Sequence, residues 1–147
     1  MPHITYTLSS GRPLIDAYIG LSKSRLEAYQ TAGKIPPSPM HARALIDTGA
    51  TSSCIDTKII RGLNLTPRGK AQCLTASSGT APVITDQYDV SVIIPLPVPV
   101  TGKVRSFTDI LVMEYDLSLA GIQAIIGCDI LSEGILILNG EQFILSF

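Results

Sequence analysis

Apolar and polar residues alternate with a period of two over much of the chain. Ile4, Tyr6 and Leu8 alternate with Thr5 and Thr7, the pattern resumes from Leu14 to Leu21, and Tyr88, Val90, Val92 and Ile94 alternate with Asp89 and Ser91. A two-residue period puts one set of side chains on one face of an extended backbone, so these segments read as half-buried strands. Phe107 to Met113 and Ile135 to Leu138 are further apolar strand candidates, and Gln142 to Phe147 supplies a last one. Helical signals are few. Ser24-Arg25-Leu26-Glu27 has the form of a capping box opening a helix that runs to Ala32, with Gly33 as its stop. Asp56 is placed to cap a second short helix ending at Gly62, and a third is expected from near Asp129 to Gly134.

Pro36, Pro37 and Pro39 make residues 34–39 a loop, because each removes a donor and fixes φ. Pro95 to Pro99 is expected as an extended connector or an edge segment. No internal repeat or composition shift divides the chain, so residues 1–147 are expected to form one all-β domain.

Composition narrows the function classes. Hydrophobic residues make up 46% of the 147 and charged residues 16%, so much of the chain must be buried, in a β-rich core or a dimer interface. The 11 basic and 12 acidic residues are scattered singly, which leaves no electrostatic footprint for nucleic acid or an anionic membrane. The longest apolar stretch, Val90 to Val100, is broken by Pro95, Pro97 and Pro99 and falls short of the roughly 18 residues of a spanning helix. The N-terminus lacks the basic and apolar regions of a signal peptide, so a cytoplasmic location is expected. Cys54, Cys73 and Cys128 are odd in number and far apart, which suits reduced thiols, and Cys54 is expected buried and inert. His3 and His41 are too separated to build a metal cluster; no metal or other cofactor is expected. The glycine-rich phosphate loops and the G-x-S-x-G nucleophile turn are absent from the sequence.

Two runs carry candidate chemistry. In Ala44-Leu45-Ile46-Asp47-Thr48-Gly49-Ala50 an apolar strand runs into a small-residue turn that starts with a carboxylate. The tripeptide alone is equally a way to end a strand in an Asx turn. About eighty residues later, Ala124-Ile125-Ile126-Gly127-Cys128-Asp129-Ile130-Leu131 passes from a strand through glycine into a short helix, and by itself reads as core. Amide hydrolysis by carboxylates alone takes two that share a proton, and only one Asp-Thr-Gly is present; a two-fold dimer would supply the second.

Together the runs resemble the retropepsin-like aspartic proteases, whose pattern is apolar-apolar-Asp-Thr-Gly-Ala followed by Ile/Leu-Ile/Leu-Gly-x-Asn/Asp-x-Leu. Between them, Leu74 to Val83 has the small residues of a hairpin flap, with Ala76, Ser77, Ser78 and Gly79 at its tip, although a plain surface turn has the same composition. Residues 22–39 look like an insertion on the retroviral minimum, as in bacterial members. The resemblance implies a small closed barrel with one to three short helices, working as a homodimer on a peptide or protein substrate. It implies Asp47 as the catalytic carboxylate, Thr48 as a hydrogen-bonding partner across the dimer axis, Gly49 and Ala50 as support for the loop, and Gly127 and Asp129 as structural residues behind it. For Asp129, capping of the short helix is the expected role. The resemblance also makes the N-terminal strand and Gln142 to Phe147 the natural edges of the interface. The alternative is a noncatalytic homodimeric β module that holds an extended peptide in the same cleft.

Overall fold

The computed structural model describes residues 3–75, 78–95 and 104–147. Ten strands account for most of them: β1 (His3–Thr7), β2 (Leu14–Leu21), β3 (Met40–Ile46), β4 (Cys54–Asp56), β5 (Gly69–Cys73), β6 (Val83–Pro95), β7 (Val104–Tyr115), β8 (Ala124–Ile126), β9 (Ile135–Asn139) and β10 (Gln142–Ser146). Three short helices, α1 (Lys23–Thr31), α2 (Thr57–Gly62) and α3 (Cys128–Leu131), and a single 3-10 turn, Ser118–Ala120, complete the described elements.

Six strands close into a barrel. The order β2-β3-β8-β4-β7-β6 returns to β2 through an antiparallel ladder from Tyr18 opposite Ile93 to Leu21 opposite Val90, and β5 hangs on the outer side of β6. Closure removes edges that would otherwise leave backbone donors and acceptors unpaired. The period-two residues do what their spacing predicts: Ile15, Ala17 and Ile19 of β2 are buried while Asp16 and Tyr18 face out, and Ala42, Ala44 and Ile46 of β3 are buried in the same way. With Val90, Val92, Ile94, Val112 and Ile126 they form the barrel's core. Most ladders are antiparallel, but β3 runs parallel to β8 and β4 parallel to β7.

Several local expectations are corrected. The cap of α1 is Ser22, two residues before Ser24: its Oγ accepts the Arg25 N–H at 3.4 Å, and its own burial fixes it there. Asp56 caps α2 by accepting the Lys58 N–H at 2.8 Å, yet Gly62 lies inside that helix, and the left-handed residue that ends it is Asn64 at φ 50°. Strands β4 and β5 lacked a periodic signal. The connector expected at Pro95 to Pro99 lies, beyond Pro95, outside the described residues.

The terminal strands form a separate three-stranded sheet in the order β1-β10-β9. The C-terminal strand is therefore central, with Tyr6 opposite Phe143 and Phe143 opposite Leu138. The expectation that it is an edge fails because β9 and β10 form a hairpin around Gly140, at φ 61°, that folds β10 back between its neighbours. Ile4, Phe143 and Leu145 bury this sheet's inner face on the barrel. Among the described residues no helix is long and apolar enough to cross a membrane.

Candidate active site

β3 delivers Asp47 to the rim of the barrel. Its last residues pair with β8, Ile46 opposite Ile126, and the Asp47 N–H continues the ladder to the Ile126 carbonyl at 3.0 Å. There the strand ends because the aspartate turns on itself: Asp47 Oδ1 accepts the Gly49 N–H at 2.8 Å, and the Asp47 carbonyl accepts the Ala50 N–H at 3.2 Å. This is the Asx turn that a short carboxylate makes two residues ahead of itself. A Cβ on Gly49 would sit 3.2 Å from Asp47 Oδ1, so glycine keeps the carboxylate where it is. Asp47 is half-buried, and Thr48 and Gly49 are exposed.

The second run lies behind this turn. Gly127 packs so closely that a Cβ there would meet the Ala50 carbonyl oxygen at 2.8 Å and the Ser52 carbonyl carbon at 2.9 Å. The Cys128 N–H donates to the Ala50 carbonyl at 2.8 Å, and the Cys128 thiol donates to the Thr48 carbonyl at 3.4 Å. Asp129 is not the cap of α3; Gly127 holds that position. The Asp129 carboxylate instead reaches across to Ser53, with Oδ2 accepting the Ser53 N–H at 2.9 Å and Oδ1 accepting the Ser53 hydroxyl at 2.7 Å. Ser53 Oγ in turn accepts the Gly127 N–H at 3.0 Å. Ser53 is fully buried and its polar groups are paired, as such burial requires. Sequence reasoning missed it; the hydroxyl run Thr51-Ser52-Ser53 after the Asp-Thr-Gly was the available signal.

Asp56 makes a parallel link on the far side of the loop. Besides capping α2 it accepts the Leu117 N–H at 2.8 Å through Oδ2, so one buried carboxylate ties α2 to the segment after β7.

In front of Asp47 opens a cleft of about 430 Å3. Its walls are mostly apolar, with Leu74, Met113, Leu117 and Ile125 prominent, and Asp47 is the one carboxylate among its described lining residues. Cys54 and Cys73 also line it. Burial pushes the Cys54 thiol up to about 12, with the nearby Cys73, Asp129 and Asp47 adding to the shift, so at neutral pH it is a protonated, unreactive thiol. Burial likewise pushes Tyr115 up to about 12.

The hairpin of β5 and β6, with Cys73 opposite Val83, brings Leu74 and Thr75 to the cleft. Of its expected tip, Ser78 donates its N–H to the Thr75 carbonyl at 3.0 Å and Gly79 takes φ 60°; Ala76 and Ser77 lie outside the described residues.

Among curated proteins, none matches the chain significantly. Among solved structures, a retropepsin-like aspartic protease from Rickettsia conorii superposes with a TM-score of 0.61 over 99% of this chain and 90% of its own, at 15% sequence identity. That likeness is one of fold. A family model described as aspartyl protease matches residues 38–130, from the approach to β3 into α3, and so spans both runs and the cleft between them. The chain belongs to the aspartyl protease family and carries the retropepsin-like fold.

Proposed function

We propose that the protein is an aspartic endopeptidase whose active site is completed by dimerisation, with Asp47 of each copy as the catalytic carboxylate. The observation that supports this most directly is the placement of a single, turn-locked carboxylate at the mouth of an apolar cleft. Oδ1 of Asp47 is held by Gly49, and Thr48 is exposed beside it; in this reading the Thr48 hydroxyl hydrogen-bonds across the two-fold axis.

In such a pair the two carboxylates share one proton, because like charges at close range do not both ionise. A water between them loses a proton to the ionised member as it attacks the peptide carbonyl carbon. The protonated member gives its proton to the carbonyl oxygen, and a tetrahedral diol forms with no covalent bond to the enzyme. Collapse of the diol protonates the leaving amine and restores the shared proton. Thr48, Gly49 and Ala50 hold the loop, and Gly127 and Asp129 brace it from behind. The apolar walls favour substrates with hydrophobic side chains beside the cut.

The test is cleavage of a mixed peptide library from acid to neutral pH, read by mass spectrometry, with wild type beside Asp47→Asn. Cuts made by wild type and lost in the variant support the reading. Peptide binding without cleavage by either protein would overturn it in favour of a noncatalytic peptide-binding module.

A further inference from the structure

Among the described residues, one side-chain polar atom is buried without a hydrogen-bond partner: the hydroxyl oxygen of Tyr115. Tyr115 stands two residues after Met113 on β7, so both side chains leave the same face of the strand, and both line the cleft in front of Asp47. The phenol lies within electrostatic reach of the Cys73 and Cys54 thiols, which line the same cleft. These neighbours place the hydroxyl in the cleft wall, where β5 ends.

Neither thiol satisfies it. Sulfur is a weak acceptor, and each thiol spends its own hydrogen on a carbonyl, Cys73 on that of Leu74 at 3.7 Å and Cys54 on that of Ser52 at 3.8 Å. The contrast is Tyr88 on β6, whose hydroxyl donates to Glu114 at 2.8 Å. A phenylalanine would fill the space of Tyr115 without the hydroxyl, and a buried hydroxyl with no partner opposes folding. Such a group is retained where another state of the site supplies its partner. For a group in a cleft wall, that state is the occupied cleft.

We propose that Tyr115 is a specificity residue of the cleft, whose hydroxyl hydrogen-bonds an uncharged amide or hydroxyl side chain of the substrate at one position beside the cut. The inference rests on the endopeptidase reading above and narrows its substrate class. The hydroxyl is covered in the empty cleft, and entry of a substrate strand beside Cys73, Leu74 and Thr75 displaces that cover. Two features select the ligand. A phenol both donates and accepts, as amides and hydroxyls do, and burial keeps this one protonated at neutral pH. Carboxylates are disfavoured, because Asp47 and Asp129 already oppose a negative charge at Cys54 in the same wall. An ammonium or guanidinium would give up its hydration for one phenol oxygen among apolar walls, a poor exchange. An apolar isostere leaves the hydroxyl unpaired, which is how a site of this kind discriminates.

Three measurements on the full chain test it. Tyr115→Phe removes the hydroxyl and keeps the ring. Its melting temperature at neutral pH should equal or exceed that of wild type, because no bond is lost; a clear fall would show that the fold itself uses the hydroxyl and would overturn the proposal. On a mixed peptide library read by mass spectrometry, wild type should favour Asn, Gln, Ser or Thr over Leu, Met, Ala or Val at one position by about 10- to 100-fold in kcat/KM, and Tyr115→Phe should erase that ratio. A merely structural role would lower both classes of peptide alike and leave the ratio intact.

The third measurement separates this inference from the protease reading. The same library is offered to Asp47→Asn, with and without Tyr115→Phe, and the retained peptides are identified. Cleavage by wild type with no polar preference, or with one that Tyr115→Phe leaves intact, overturns the inference and leaves the protease standing. Polar peptides held by Asp47→Asn and lost with Tyr115→Phe, while wild type cuts nothing, support the inference and refute the protease. Peptides neither cut nor held overturn both.

Discussion

Ser53 and Asp129, 76 positions apart, are joined by two hydrogen bonds, from the Ser53 N–H at 2.9 Å and from its hydroxyl at 2.7 Å. Because Ser53 lies six residues after Asp47 and Asp129 sits in the first turn of α3, this pair locks the candidate catalytic loop to the helix behind it. The Gly127 N–H, donated to Ser53 Oγ, completes the clamp.

Truncating the acceptor should be costly. Asp129→Ala leaves a buried N–H and a buried hydroxyl without their partner, which is expected to destabilise the fold by about 2–4 kcal/mol. The urea midpoint should fall at an unchanged denaturant slope. Cleavage should fall further than the folded fraction does, since the loop carrying Asp47 loosens before the barrel opens.

Two glycines separate fold from chemistry. Gly127→Ala drives a Cβ into the backbone at Ala50 and Ser52, a contact with nothing flexible to yield, and should cost on the order of 1–3 kcal/mol as an overpacked site. Gly49→Ala meets only the Asp47 carboxylate oxygen, at an exposed turn. It should leave the melting temperature close to wild type and still depress cleavage by displacing that oxygen. Paired melting and peptide-cleavage measurements on the two variants check the contrast.

Activity should report a coupled pair of carboxylates. The dependence of kcat/KM on pH is expected to be bell-shaped, because only the singly protonated pair works, and Asp47→Asn should lower turnover by roughly 10²- to 10⁴-fold. Specific activity should also fall on dilution as dimers dissociate. A rate that keeps rising into alkaline pH would refute the two-carboxylate mechanism.

Alkaline stability follows from the buried acids. Folding raises Cys54 from 9.0 to about 12, and Tyr88 and Tyr115 from 10.0 to about 12, with burial the leading cause in each. A raised folded pKa means that the unfolded chain releases its proton first. The associated stability is therefore complete below about pH 9 and is lost progressively between pH 9 and 12. Unfolding midpoints measured from pH 8 upward should decline over this window, and Cys54→Ala should flatten the start of the decline.

Local pattern determined a good part of this protein. Period-two alternation located β1, β2 and the core of β6, because a half-buried strand needs one apolar face whatever it packs against, and an apolar run located the core of β7. The Asp47 turn was legible for a similar reason, since a short carboxylate bonding two residues ahead is a local event. Polar β5, with Gly69-Lys70-Ala71-Gln72-Cys73, carried no such signal; its extended form is imposed by the ladder to β6. Only the tertiary structure decided that Asp129 bonds Ser53 instead of capping α3, that Ser53 is a buried hub, and that the last strand lies between β1 and β9 and leaves β9 exposed. Those are contacts between segments distant in sequence, fixed by how the sheets close and how the β9–β10 hairpin folds back, and residue spacing encodes neither.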